Sequence, residues 1–148
     1  MEPTTDAGMV VGPLEYLAPE VIYGQGSSYA SDWWSFGIIL YEMMCGHHPF
    51  YSEDRSQMET NILSATLKLP KHLSVHAKAI ITGLLAREPA QRLGINGGEE
   101  ILRHAFFSKI DPVKLANREV EPPYKPEIAD EKEAQLYDDV KEVSESED

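Results

Sequence analysis

The sequence predicts a mainly α chain, a helical body followed by an extended, partly disordered acidic tail. Three observations carry that reading. The stretch Tyr29–Gly46 gathers Trp33, Trp34, Phe36, Ile38, Ile39, Leu40, Tyr41, Met43 and Met44 in one run without proline. Further along, apolar residues return at spacings of three and four, the period of a helix face. Nowhere do apolar and polar residues alternate over a strand's length.

Taken in order, residues 1–11 read as a flexible entry segment, and Gly12-Pro13-Leu14-Glu15-Tyr16 as a turn. Leu17–Ile22 suits a short helix with Pro19 in its first turn. Gly24–Ser28 is a loop. The run that follows is apolar nearly all round, so as a helix it should be buried. It is too short to span a bilayer, and Asp32 and Glu42 sit inside it. Ser31 or Asp32 can cap its start, and Gly46 can end it in the left-handed conformation. A carboxylate at Asp32, between Ser31 and two tryptophans, should be partly desolvated and in need of donors.

Beyond His47-His48-Pro49-Phe50, residues 54–67 place Met58, Ile62, Leu63 and Ala65 on one side of a helix that Pro70 closes. Ser74 can cap a further helix carrying Ala77, Ile80, Ile81, Leu84 and Leu85. Pro89 bounds it. Ala90–Gly94 is a tight linker, and Gly97-Gly98 opens a last short helix through Ile101, Leu102 and Phe106. After Ile110 the period fades. Glu121–Pro126 is extended by its prolines, and residues 130–148 are too acidic and too poor in apolar side chains to fold alone. Ser144 and Ser146, set among acids, belong to that solvated end.

The formal net charge is −12, and −9 of it lies from Glu119 onward, where twelve carboxylates face three lysines. The body is near neutral, which gives nucleic acid no basic face to bind. No basic-then-apolar leader opens the chain, and no membrane segment is expected. The single cysteine, Cys45, cannot form an internal disulfide. It reads as core packing in an intracellular protein, cytoplasmic or nuclear, rather than as a nucleophile. The adjacent histidines lack acidic or cysteine partners at ligand spacing, so no metal site is expected.

Several short motifs then stand in a telling order. Leu17-Ala18-Pro19-Glu20 with Asp32-Trp33-Trp34-Ser35-Phe36-Gly37 resembles the end of a protein kinase activation loop and the central helix of the large lobe. Gln91-Arg92-Leu93-Gly94 resembles the later arginine motif. His104-Ala105-Phe106-Phe107 and Pro122-Pro123-Tyr124-Lys125-Pro126 resemble the AGC group of serine/threonine kinases and the start of its C-terminal tail. The resemblance implies a partial kinase domain over residues 1–110 and a truncated tail over 111–148. It implies that Glu20 pairs internally with Arg92, whose planar fork suits a carboxylate, and that Asp32 accepts backbone hydrogen bonds from a catalytic loop. It implies that Val10, Leu14 and Leu17 line the pocket for the residue after the phosphoacceptor, with Glu15 and Glu42 facing basic side chains of a protein substrate. Without the family, these charges would be solvated or locally paired surface groups.

Kinase chemistry needs a glycine-rich phosphate loop, a strand lysine, a His-Arg-Asp loop with its metal-binding Asn, and an Asp-Phe-Gly aspartate. None occurs; Gly24-Gln25-Gly26 lacks the third glycine. No catalytic residue, metal or cofactor is therefore expected of this chain itself, and Mg-ATP belongs to an intact parent. The expected partners are a basic protein substrate and, in the same polypeptide, the small lobe and catalytic loop encoded upstream. The rival expectation is a non-catalytic, kinase-derived module that holds partners through the substrate groove or the acidic tail. Two positions depart from the family pattern: Pro13 replaces the threonine of Gly-Thr-Pro-Glu-Tyr, and Met9 stands where the activation-loop phosphothreonine is expected, with Thr4 and Thr5 further back.

Overall fold

The computed structural model describes residues 12–125, in two compact units divided between Asp111 and Pro112. The first unit is built on a Leu14–Tyr16 3₁₀ turn and five helices: α1 Pro19–Ile22, α2 Tyr29–Cys45, α3 Arg55–Ser64, α4 Val75–Leu84 and α5 Gly98–Leu102. Further 3₁₀ turns cover Pro89–Gln91 and Ala105–Phe107, and among the described residues there is no strand. No described helix is long and apolar enough to cross a membrane.

Local chemistry sets the helix limits. Pro19 opens α1, where a missing N–H costs nothing. The start of α2 lies earlier than the sequence suggests: Ser28 is the cap residue, and its N–H donates to Ser31 Oγ at 3.1 Å. Ser31 is thus the third helical residue, and neither it nor Asp32 is the cap. Gly46 ends α2 at φ +78°, where its N–H closes on the Glu42 carbonyl at 2.8 Å. Asp54 caps α3 by accepting from the Gln57 N–H at 2.7 Å, and Ser74 caps α4 by accepting from the Ala77 N–H at 3.1 Å. Helix α3 stops at Ser64, short of Leu67, because Arg87 reaches across to its last carbonyls. Arg87 Nε donates to Ile62 O at 2.7 Å, and Nη2 donates to Asn61 O and Ala65 O.

The core forms where α2 crosses α4. Trp34, Ile38 and Tyr41 of α2 and Ala77, Ile80, Ile81 and Leu84 of α4 are all but fully buried. Met58 and Ile62 of α3, with Phe50 and Leu73, close the same cluster. The helices meet closely because Gly37 has no side chain: a Cβ there would stand 2.8 Å from Leu84 Cβ and 2.9 Å from Leu85 Cδ2. Helix α2 is not buried all round, however. Asp32, Ile39 and Met43 are exposed, with half-buried Phe36 between them, at the spacing of one helix face. The second unit holds a short helix, α6 Pro112–Ala116, where the sequence pattern fades. Proline at its first position favours the turn, while its exposed Val113 and Leu115 make no amphipathic stripe to read. Residues 121–125 carry no helix.

Gly37→Ala should lower stability by about 1–3 kcal/mol, because the nearest atom it strikes, Leu84 Cβ, lies at the root of a side chain on packed α4 and cannot move aside as a flexible tip could. Urea denaturation would show this as a lower midpoint with an unchanged slope.

Candidate functional site: a buried ion pair and the acidic face it supports

Glu20 of α1 and Arg92, after the Pro89–Gln91 turn, are brought together in the interior at 6% and 1% exposure. Arg92 Nη1 donates to Glu20 Oε1 at 2.6 Å and Nη2 donates to Oε2 at 2.8 Å, a two-pronged charge-assisted contact. The remaining guanidinium donors are also used. Nε donates to Ala86 O at 2.8 Å, Nη1 to Ala30 O at 2.7 Å and Nη2 to Arg87 O at 3.1 Å. All five N–H groups of Arg92 thus have acceptors. The guanidinium lies over Trp34, 5.3 Å from the ring centroid. Ser31 Oγ adds a donor to Glu20 Oε1 at 3.0 Å, which no residue pattern announced. Burial pushes the Glu20 carboxyl up, but the bonds from Arg92, from backbone and from Ser31 outweigh it and hold the group below its ordinary 4.5.

Around this pair the Leu14–Tyr16 turn sits against α2. Ser35 Oγ donates to the Tyr16 carbonyl at 2.7 Å, and the Tyr16 hydroxyl donates to Glu42 Oε2 at 3.4 Å. The Glu42 charge, then partial burial, the hydrogen bond and the Glu15 charge together raise the Tyr16 phenol above its usual value. Glu15 and Glu42 therefore act on one place although they come from separate elements. The turn has a further anchor in His48, whose Nε2 donates to the Glu15 carbonyl at 2.7 Å. From the sequence no metal was expected at His47-His48, and no other role was legible there. Among the described residues no group of three or more His, Cys, Asp or Glu is placed to hold a metal.

Leu14 is 5% exposed and points into the core, while Leu17 is half-buried beside Gly12. Val10, Met9, Thr4, Thr5, Ser144 and Ser146 lie outside the described residues. Asp32 corrects the sequence reading: its carboxylate is exposed, not desolvated, and no described residue donates to it. It occupies the open face of α2, and the neighbouring tryptophans turn elsewhere, Trp34 into the core and Trp33 against Gly94. Cys45 packs beside the core with its thiol pushed up by burial, the opposite of an activated nucleophile.

A helical body in which a Pro-Glu turn is locked to a later arginine beneath a tryptophan-bearing central helix is what the resemblance to a protein kinase large lobe implied. The protein kinase domain model matches residues 1–107. Ribosomal protein S6 kinase alpha-1 of Homo sapiens is 45% identical over 129 residues, covering 86% of this chain and 18% of the relative. Putative ribosomal protein S6 kinase alpha-1 of Caenorhabditis elegans is 48% identical over 120 residues, 80% of this chain and 15% of the relative. Protein kinase 2 of Dictyostelium discoideum is 48% identical over 126 residues, 84% of this chain and 26% of the relative. The chain belongs to the protein kinase domain family, on the AGC-type serine/threonine side, and spans between about a seventh and a quarter of the length of these relatives.

Removing one member of the ion pair strands a buried charge, so Glu20→Ala or Arg92→Met should each cost about 3–5 kcal/mol. The double variant should cost much less than the sum, which a double-mutant cycle in urea would measure. The lowered Glu20 carboxyl adds a pH signature. Its contribution is complete above the unfolded value near 4.5 and is lost as pH falls below that toward the folded value. Glu20→Gln should flatten that part of the acid-stability curve.

Proposed function

We propose that this chain supplies the substrate-facing helical part of an AGC-type serine/threonine kinase. The intact enzyme would transfer the γ-phosphoryl group of ATP to Ser or Thr of proteins in a basic sequence context. The observation that carries this is the convergence of Glu15 and Glu42 on Tyr16, on a turn fixed to α2 by Ser35 and to the following segment by His48. Two carboxylates on a fixed frame favour a cationic side chain and select against an acidic one. Half-buried Leu17 adjoins that turn, with Val10 assigned to the same pocket by resemblance alone.

The residues present do not form a Mg-ATP site. The phosphate, base and metal-binding motifs are absent from the sequence, and the described carboxylates and histidines do not cluster as metal ligands. Catalysis would therefore need groups supplied by a further kinase segment, for which the open face of α2 is the proposed seat. Asp32 offers an acceptor there without a donor among the described residues, and Phe36, Ile39 and Met43 offer apolar surface beside it. The rival reading, a non-catalytic interaction module, uses the same acidic turn and differs in needing no such segment.

Mg-ATP should leave the melting temperature of this chain unchanged, whereas a bound ligand at a hundredfold excess over its dissociation constant would add about 2.7 kcal/mol. A shift confirmed by calorimetric binding would overturn that expectation. A serine peptide carrying arginines should bind the chain in low salt. The double substitution Glu15→Gln/Glu42→Gln should weaken it by about tenfold, as two partly screened ion pairs are lost. Equal affinity for both proteins by titration calorimetry would remove the substrate assignment.

A further inference from the structure

We propose that His48 is a positioning residue that works as a proton-sensitive clasp on the Leu14–Tyr16 turn. The ring is 7% exposed and is held from two sides. On one side Nε2 lies 2.7 Å from the Glu15 carbonyl, which can only accept, so Nε2 carries a hydrogen. On the other side the Phe50 N–H points at Nδ1 from 3.0 Å, and an amide N–H can only donate, so Nδ1 must offer its lone pair. Only the neutral ring with its hydrogen on Nε2 satisfies both neighbours. A proton added at Nδ1 would set two donors against each other in a site with little access to water.

The relief has a direction. Phe50 is 3% exposed, stacked on Trp34 at 6.0 Å and 12°, with the Arg87 guanidinium 5.2 Å from its ring centroid. Trp34 in turn lies beneath Arg92. Phe50 is thus tied into the core and cannot yield, whereas the ring of His48 can swing out, and it takes the Glu15 bond with it. Of its side-chain hydrogen bonds to other elements, the turn would then keep the Ser35 and Tyr16–Glu42 contacts, with Leu14 still packed in the core. The titratable and charged groups around the clasp are Glu15 and Tyr16 on the turn, Glu42 on α2, His47 beside it and Arg87 over Phe50. Protonating His48 therefore loosens the element that presents Glu15. Calling that element substrate-facing rests on the function proposed above; the clasp itself does not.

The test uses the full chain and no peptide, so its outcome is separate from that of the binding experiment. Ring-nitrogen NMR shifts should report the Nε2–H tautomer of neutral His48. As His48 takes up its proton, the Phe50, Tyr16 and Leu17 amides should lose hydrogen-exchange protection together, by about tenfold or more. The Ile81 and Leu84 amides of the core should not change. His48→Gln keeps a donor for the Glu15 carbonyl but cannot titrate, and should abolish the pH response while leaving the turn protected. An Nδ1–H tautomer, unchanged protection on His48 protonation, or the same pH response in His48→Gln would each overturn the proposal. Should that variant fail to fold, the wild-type tautomer and the coincidence of the amide and His48 titrations decide alone.

Discussion

The fold depends on one buried guanidinium. Arg92 joins positions 72 residues apart in sequence when it takes both oxygens of Glu20, and its other donors collect carbonyls from Ala30, Ala86 and Arg87. Those carbonyls come from the start of α2 and from the segment after α4. Such carbonyls, shut away from water, would each cost free energy if left unpaired. Desolvating a charge is expensive, and an ion pair seldom returns more than that cost by attraction alone. Here the charge also satisfies the Ala86 and Arg87 carbonyls, which lie after α4 and have no helical partner, and adds a second donor to the Ala30 carbonyl of α2. The pair is therefore better described as a junction than as a net source of stability: hydrophobic residues of equal volume could fill the space but could not donate to the Ala86 and Arg87 carbonyls.

The junction extends outward through stacked planes. Arg92 lies over Trp34, Trp34 stacks on Phe50, and Arg87 lies over Phe50 while it caps the end of α3. Arg87 is half-buried, and burial lowers its pKa, so its charge is held in place chiefly by carbonyl acceptors. Each member fixes the next by shape as well as by charge, since planar groups tolerate little tilt before contact is lost. The far end of this chain of contacts is His48, and through it the turn bearing Glu15. An acidic, solvent-facing turn is thus positioned by a core residue nearly eighty positions later in the sequence.

Much of this was legible before any coordinates. Helices announced themselves by period and by caps at Ser74 and Gly46, and the mainly helical class followed. Motif order pointed to Glu20 and Arg92. What stayed hidden was hidden for physical reasons. Ser31 was read as a candidate cap, whereas Ser28 holds that place, and its donation to Glu20 was not legible, because nothing in its local pattern says which distant carboxylate it will meet. The exposure of Asp32 was misjudged because apolar neighbours in sequence are not neighbours on a helix: Trp33 and Trp34 stand about 100° and 200° around the axis from it. His48 was weighed as a ligand because its ring type suggests one. Only the carbonyl and the amide on its two sides reveal that both nitrogens are committed.

The same angular logic explains why α2 is dense in apolar residues and still not enclosed. One face carries Trp34, Ile38 and Tyr41 into the α4 contact, with Gly37 letting the backbones approach. The face displaying Asp32, Phe36, Ile39 and Met43 has no such opposite number among the described residues. A helix that faced only one packed layer could afford a polar outer stripe, and selection for solubility would favour it. Ile39 at 40% and Met43 at 78% exposure break that expectation, while the Asp32 carboxylate, with no donor among the described residues, shares their stripe. An apolar seat with one acceptor at its edge is what an irregular backbone segment requires, since such a segment brings apolar side chains and N–H donors together. This face of α2 therefore suits the seat proposed above for a further kinase segment.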